Sequence, residues 1–381
     1  MEDFYVDYAN MDDIQRAYIR KRTDKHLVIT GTAGSGKSVI ALHKLRQVSQ
    51  EGSYAIIVYT KSLKKYFIDG IEAMQRERRE NFGETLEFKS NRIFYYQEWK
   101  KWYEENPNAT VKHLIIDECQ DFSTEEINSM LSFGQICFLF GDADQTIMDF
   151  KDKVTMNPQA TANHLGVVVD KLYKNYRLTI ETARVVELVP RPNVIPDVSD
   201  SCERHGEKPR LIKAPSFDAQ LDRIIDIIRN RSLSNVGILM RYNTMYNAGK
   251  HSGNEKRSVQ YVKEYFESKG ITVEYKYNIN QDTDMDLDFH SSNPKILTWW
   301  CAKGLQFKDV FIVDCNTDYV CGENEKENKT YASAWYVALS RTSERLYISY
   351  TGSLSRRFPA TTSSMYVNPD STNTSDDDLP F

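Results

Sequence analysis

The sequence predicts an α/β protein of two lobes, each a parallel sheet covered by helices. Two observations carry that prediction. Short apolar runs (LVIT, AIIVYT, LIID, CFLF, GILMR, KILTW, VFIVD and LYISY) alternate with helical stretches along the chain, the pattern of parallel strands joined by helical crossovers. The 381 residues suffice for two full cores and a tail. A first lobe is expected over 1–178, a second over 179–352, and a tail over 353–381. The proline-broken loop PRPNVIPDVSD (190–200) falls near the start of the second.

Within the first lobe, Leu27–Thr30 reads as a buried strand, and an apolar-periodic helix opens at Lys37-Ser38. Between them lies GTAGSGKS, a G-x-x-x-x-G-K-[ST] loop in its required strand–loop–helix setting. Gly31, Gly34 and Gly36 let backbone N–H groups turn toward phosphate oxygens, and Thr32, Ala33 and Ser35 complete the cradle. Lys37 can reach the β- and γ-phosphates, and the Ser38 hydroxyl can ligate Mg²⁺. This pattern implies a nucleoside triphosphate, with ATP and Mg²⁺ as the expected pair.

The next informative element is VKHLIIDECQD, with His113–Ile116 as strand and Asp117-Glu118 at its carboxyl end, where parallel sheets place ligand chemistry. Asp117 suits the Mg²⁺ shell, and Glu118 suits a base that polarises the attacking water. The strand ICFLF (136–140) then leads to GDADQTI, whose Gln145 offers a neutral amide for the γ-phosphate or the water. Further on, KNYR supplies Tyr176 and Arg177, and VALSRTSERLYI supplies Arg341. Singly, either arginine fits a surface ion pair; as members of an ordered set, both fit charge stabilisation on a transferring phosphoryl group.

Composition limits the partners. A formal charge of −5 argues against a uniformly basic nucleic-acid binder but leaves room for a local groove. Cysteines 119, 137, 202, 301, 315 and 321 show no C-x-x-C pair and no His/Cys ligand spacing, so they read as buried reduced thiols. The N-terminus MEDFYVDYAN lacks an apolar secretion core, and no run approaches the ~20 apolar residues of a membrane span. The expectation is a cytoplasmic protein without a membrane partner.

Taken in order, GTAGSGKS, DECQD, GDADQTI, NYR, AKGLQF and VALSRTSERL resemble motifs I to VI of superfamily 1 helicases, in the form of the UvrD/Rep/PcrA branch. Gln15 in MDDIQRAYI resembles that family's adenine-reading Q motif, and AIIVYTKSLKKY resembles motif Ia. The resemblance implies two RecA-like P-loop lobes with the ATP site in the cleft between them. It implies that Gln15 meets the adenine edge and Tyr176 stacks on its face, while Gly304 and Gln306 of motif V complete the nucleotide site. It implies further that Gln145, Arg177 and Arg341 surround the γ-phosphate. Thr60, Lys61, Phe150, Thr298, Trp299 and Trp300 would meet the nucleic-acid strand. Trp299 and Trp300 fit either base stacking, worth about 1–3 kcal/mol per base, or simple strand packing.

Departures from the family pattern are also legible. Val39 stands where the family often has an arginine, and Met148 replaces a tyrosine in motif III. TWWCAKGLQF puts Trp300 at a family histidine and Gln306 at a family glutamate. The accessory insertions of relatives are reduced to Ile71–Glu87, whose RERRE run reads as a solvated helix face, and to Tyr242–Asn293. The latter reads as a helix (259–269), a strand (271–277) and a polar loop.

From about Ala360 the chain becomes rich in Ser, Thr, Asn and Asp, the composition of a disordered tail, and it ends SDDDLPF. Asp376, Asp377, Asp378, Leu379, Pro380 and Phe381 resemble the acidic tip of bacterial single-stranded DNA-binding proteins, which implies proteins that recognise such tips as partners. An acidic solubilising tail is the other reading. The expected activity is ATP-dependent translocation on single-stranded DNA, with RNA also open, in the 3′–5′ direction, the lobes closing on ATP and opening after hydrolysis. The alternative is a nucleic-acid-stimulated ATPase switch or sensor subunit that gates a partner such as a nuclease.

Overall fold

A computed structural model describes residues 5–142, 145, 155–188, 198–279, 282–316 and 333–367. Phe150, Met148, most of the 190–200 loop and the whole Asp376–Phe381 tip lie outside the described residues. The chain divides into two compact units, one drawn from Glu2–Tyr176 and the other from Arg177 onward.

The first unit is a six-stranded sheet of β1 (Leu27–Gly31), β2 (Tyr54–Val58), β3 (Ile93–Tyr95), β4 (Val111–Ile116), β5 (Gly134–Gly141) and β6 (Val169–Leu172). Its order is β3-β2-β4-β5-β1-β6, and every pairing is parallel. Helix α1 (Asp13–Arg20) precedes β1, and α2 (Lys37–Val48), α3 (Lys61–Phe82), α4 (Tyr96–Glu105), α5 (Thr124–Phe133) and α6 (Pro158–Leu165) make the crossovers. The central strands are near-continuous apolar runs because helices cover both faces. Val28, Leu114, Ile116 and Leu139 pack with Trp99, Phe122 and Phe133 in one buried cluster. This arrangement puts the P-loop after β1, the Asp117-Glu118 pair after β4 and the Asp142–Gln145 turn after β5 at the same carboxyl edge, since β5 lies between β4 and β1.

α3 runs through the segment expected to be a reduced insertion. Its RERRE face is not wholly solvated: Arg78 is buried, lies over the Phe82 ring at 3.7 Å and pairs with Glu84 at 2.5 Å.

The second unit begins with a two-stranded ribbon, β7 (Asn175–Thr179) and β8 (Cys202–Arg204), beside α7 (Ile180–Glu187). Its main sheet has seven strands: β9 (Arg210–Ala214), β10 (Val236–Met240), β11 (Glu274–Ile279), β12 (Asp282–Asp286), β13 (Lys295–Thr298), β14 (Phe307–Ile312) and β15 (Thr342–Thr351). Their order is β12-β11-β13-β10-β14-β15-β9. All pairings are parallel except β11–β12, an antiparallel hairpin where the sequence predicts a strand and a polar loop. Its polar composition hides it because β12 sits at the sheet edge, with one side unpaired in the ladder. Helices α8 (Phe217–Asn230) and α10 (Val259–Ser268) cover the sheet, α9 (Met245–Ser252) packs beside α10, and a further helical stretch spans 333–339. The apolar face of α8, from Leu221 to Ile228, packs with Val236, Ile238, Phe266 and Phe311.

Candidate nucleotide site

The loop after β1 is built for close approach. Gly34 and Gly36 have φ of 78° and 87°, a left-handed backbone that glycine adopts without a Cβ clash. A Cβ on Gly31 would lie 2.7 Å from Ser35 Oγ and 2.8 Å from Leu172 Cβ. α2 starts on Gly36, with no side chain capping its first N–H groups. By contrast α1, α3, α5 and α6 are capped by Asp12, Thr60, Ser123 and Asn157. An uncapped N-terminus preceded by left-handed glycines is an anion cradle. Thr32 Oγ1 and Ser35 Oγ, both buried and without a hydrogen-bond partner, add hydroxyl donors to it. Lys37 is almost fully buried, and its Nζ donates to the carbonyls of Gly31 at 2.7 Å and Thr32 at 3.0 Å.

Beside the cradle, Ser38 Oγ donates to Asp117 Oδ2 at 2.6 Å. A hydroxyl and a carboxylate held together are two of the hard oxygen ligands that Mg²⁺ takes, so these residues fit the cation. Burial, followed by the charge of Glu118, pushes the Asp117 carboxyl up to about 7, against the opposing pull of Ser38 and Lys37. A bound cation would favour the ionised form.

Glu118 stands in a left-handed conformation with φ of 55° and ψ of 44°, rare for a residue with a Cβ and frequent at functional sites. Its N–H donates to Asp117 Oδ1 at 3.0 Å, and its Oε2 accepts Gln120 Nε2 at 2.5 Å. Gln120 Oε1 accepts the N–H of Asp142 at 3.0 Å, and Asp142 Oδ2 accepts Gln145 Nε2 at 2.7 Å. The structure therefore joins Glu118 and Gln145 through Gln120 and Asp142. The sequence reading assigns neither linker a role, although both fall inside the motifs it quotes.

Gln15 and Tyr176 also meet at this loop. Gln15 Nε2 donates to the Ser35 carbonyl at 3.1 Å, and Gln15 Oε1 accepts the Asp12 N–H at 3.2 Å in a capping box. The Tyr176 N–H donates to the Gly34 carbonyl at 2.9 Å, and its hydroxyl donates to Asp12 Oδ2; the residue is 38% exposed. Asp12 is a third linker that sequence reading passes over; its place three residues before Gln15 at a helix start is the signal.

Within the second unit, Arg177, Gln306 and Arg341 come together. Arg177 Nε donates to Gln306 Oε1 at 3.0 Å, and its Nη1 donates to the Ser340 carbonyl at 3.1 Å. Arg341 is 1% exposed and donates to the Val337 carbonyl at 2.8 Å and to Ser340 Oγ at 2.9 Å. It is therefore no surface ion-pair residue. Gly304 turns the intervening chain with φ of 79°.

The expected strand-contact residues fare unevenly. Thr60 Oγ1 is engaged as the α3 cap, accepting the Leu63 N–H at 3.1 Å, and Lys61 Nζ lies 5.4 Å from the Tyr95 ring centre. Thr298 is buried, and its Oγ1 accepts the Cys301 N–H at 3.2 Å. Trp299 is a core residue, 1% exposed with its ring 4.4 Å from that of Trp335, so of its two readings, stacking on a base and strand packing, the structure fits packing. Trp300 is half-buried beside it. Among the described residues, no helix is long and apolar enough to cross a membrane.

No curated protein sequence matches the chain. Among solved structures, the chain resembles the C-terminal domain of a "possible DNA helicase" from Lactobacillus plantarum WCFS1. The identity is 17% and the TM-score 0.33, over 50% of this chain and 96% of that one. It also resembles the PRRSV helicase, at 11% identity and a TM-score of 0.41 over 88% of this chain and 54% of that one. A third likeness is to the arterivirus nonstructural protein 10 helicase solved with DNA, at 13% identity and a TM-score of 0.41, over 88% and 62%. The chain thus spans little more than half the length of either viral protein. Residues 15–151 match the family model of the AAA domain, a span that runs from the Gln15 helix through the P-loop to the Gln145 turn. The first unit is a P-loop nucleotide-binding fold.

Proposed function

We propose that the protein is an ATPase coupled to nucleic acid, a translocase on single-stranded DNA running 3′–5′. The observation that carries this reading is the linked set of Ser38–Asp117 and Glu118–Gln120–Asp142–Gln145 at one edge of the first sheet. The P-loop amides, Lys37 and the free hydroxyls of Thr32 and Ser35 hold the triphosphate. Ser38 and Asp117 hold Mg²⁺, which when bound neutralises charge on the β- and γ-phosphates. Glu118, fixed by its backbone turn and by Gln120, takes the proton of the attacking water, while the Gln145 amide orients that water or the γ-phosphate. Arg177 and Arg341 supply positive charge for the transferring phosphoryl group. Gln15 reads the adenine edge, the exposed face of Tyr176 takes the base, and Gln306 with Gly304 completes the nucleotide contacts.

Thr60, Lys61, Thr298 and Trp300, with Phe150, are the proposed strand contacts, and residues 376–381 are the proposed docking tip for proteins that recognise single-stranded DNA-binding protein. ATPase activity measured with and without short single-stranded DNA and RNA tests the reading. Strong stimulation is expected; an identical rate with and without any oligonucleotide overturns it. A switch that gates a partner is the second reading. It is favoured by the short span between β10 and β13, where the described residues form only α9, α10 and the β11–β12 hairpin. Stimulated ATPase without duplex separation or streptavidin displacement selects it.

A further inference from the structure

Gln120 is fully buried, and both ends of its amide are engaged, Nε2 by Glu118 Oε2 at 2.5 Å and Oε1 by the Asp142 N–H at 3.0 Å. One side chain thus fastens the end of β4 to the turn after β5. Gly141 makes room for it: a Cβ there would lie 2.7 Å from Gln120 Oε1 and 2.6 Å from Cys119 Sγ. The second unit contains the same clamp. Asn316 follows the left-handed Asp314 (φ 64°) by two residues, donates Nδ2 to Asp314 Oδ1 at 2.6 Å, and accepts the Thr351 N–H at 2.6 Å from the adjoining β15. The shorter amide there serves the shorter acid.

We propose that Gln120 is a positioning residue for hydrolysis: its amide holds the Glu118 carboxylate and the bonded pair Asp142 and Gln145 in one register, so that both address the same water. This rests on Glu118 acting as the base and Gln145 at the γ-phosphate. Without the amide the Glu118 carboxylate loses a short, buried hydrogen bond that fixes its rotamer, and small misplacement of a reacting group is costly in rate.

Steady-state kinetics on four variants test it. Gln120→Leu keeps bulk and removes the amide; kcat falls about 10–100-fold, as for other groups that orient a reacting side chain. KM for ATP stays within about threefold, because the amide touches no nucleotide in this scheme. Gly141→Ala displaces the amide without deleting it and lowers kcat by a smaller factor, which carries the test if Gln120→Leu does not fold. Asn316→Ala breaks the matching clamp and lowers the melting temperature, with kcat per folded molecule unchanged. Glu118→Gln combined with Gln120→Leu turns over no more slowly than Glu118→Gln alone, since no base is left to position.

A Gln120→Leu enzyme with wild-type kcat, a loss appearing in KM instead, or losses that multiply in the double variant overturns the positioning role. Glu118→Gln at wild-type turnover overturns the underlying reading as well. An inactive Glu118→Gln beside a fully active Gln120→Leu overturns the positioning role alone.

Discussion

In the first unit, the Asp117 N–H donates to the Ile57 carbonyl at 3.2 Å and the next residue, Glu118, turns left-handed; in the second, the Val313 N–H donates to the Leu239 carbonyl at 3.2 Å and Asp314 turns left-handed. The backbone course and the amide clamp are shared, yet the surroundings differ. Where the first unit has Asp117 bonded to Ser38, the second has Val313, buried and apolar. Where Glu118 meets a neutral amide, Asp314 also meets the Arg257 guanidinium at 2.8 Å, and its N–H donates to Gln220 Oε1 at 3.1 Å. An acid paired with a half-buried arginine is a structural tie. The Glu118 carboxylate instead accepts a hydrogen bond from a buried amide, beside the uncapped start of α2. The two strand ends share a backbone course and differ in the side chains their loops bring to it.

Turnover is where the two strand ends should diverge most. Glu118→Gln should bind ATP as the wild type does and lose about 10³-fold in kcat, within the span typical of a removed general base. Asp314→Asn should leave turnover per folded molecule unchanged. Nucleotide binding by fluorescence and steady-state hydrolysis check both. Normal hydrolysis by Glu118→Gln, or a large loss of kcat in Asp314→Asn, would break the distinction.

Stability should separate them in the other direction. Arg257→Met strips the guanidinium from an Asp314 whose side chain is only 2% exposed. Leaving a buried charge unpaired costs several kcal/mol, here about 3 kcal/mol because Arg257 itself keeps some contact with water. Urea denaturation should show that loss, and the double variant Arg257→Met with Asp314→Asn should recover part of it. Equal stability of Arg257→Met and wild type would remove the structural reading of Asp314.

The first unit was largely legible in its sequence because its chemistry is local. The P-loop, the Asp117-Glu118 pair and the strand alternation each occupy one continuous stretch, and the structure puts those stretches where their pattern implies. What was not legible depends on contacts distant in sequence. Gln120 lies inside DECQD, yet its partner Asp142 is a full crossover away, just past the end of β5. Trp299 could not be sorted between stacking and packing until Trp335 was seen against its ring. The β12 strand, rich in aspartate, has no apolar alternation to announce it and is held by ladder bonds to β11. The Arg257–Asp314 tie joins residues with no motif in common.

The effect opposite in sign concerns Asp117. Burial and the neighbouring Glu118 raise its folded-state pKa to about 7 from the ordinary 3.8. Its contribution to stability is therefore present below about pH 4, is lost as pH rises through 7, and becomes a standing penalty above that. Asp117→Asn lacks the titrating group, so in Mg²⁺-free buffer at pH 8 it should be more stable than wild type. The gap should close as pH falls toward 4, while hydrolysis is lost throughout. Asp314→Asn at pH 8 should instead be less stable than wild type, because Arg257 loses its partner. Melting curves of both variants across pH 4–8 decide the matter. A destabilised Asp117→Asn at pH 8 would mean that its carboxylate is as well compensated as that of Asp314, and that the first strand end stores no charge for a cation to relieve.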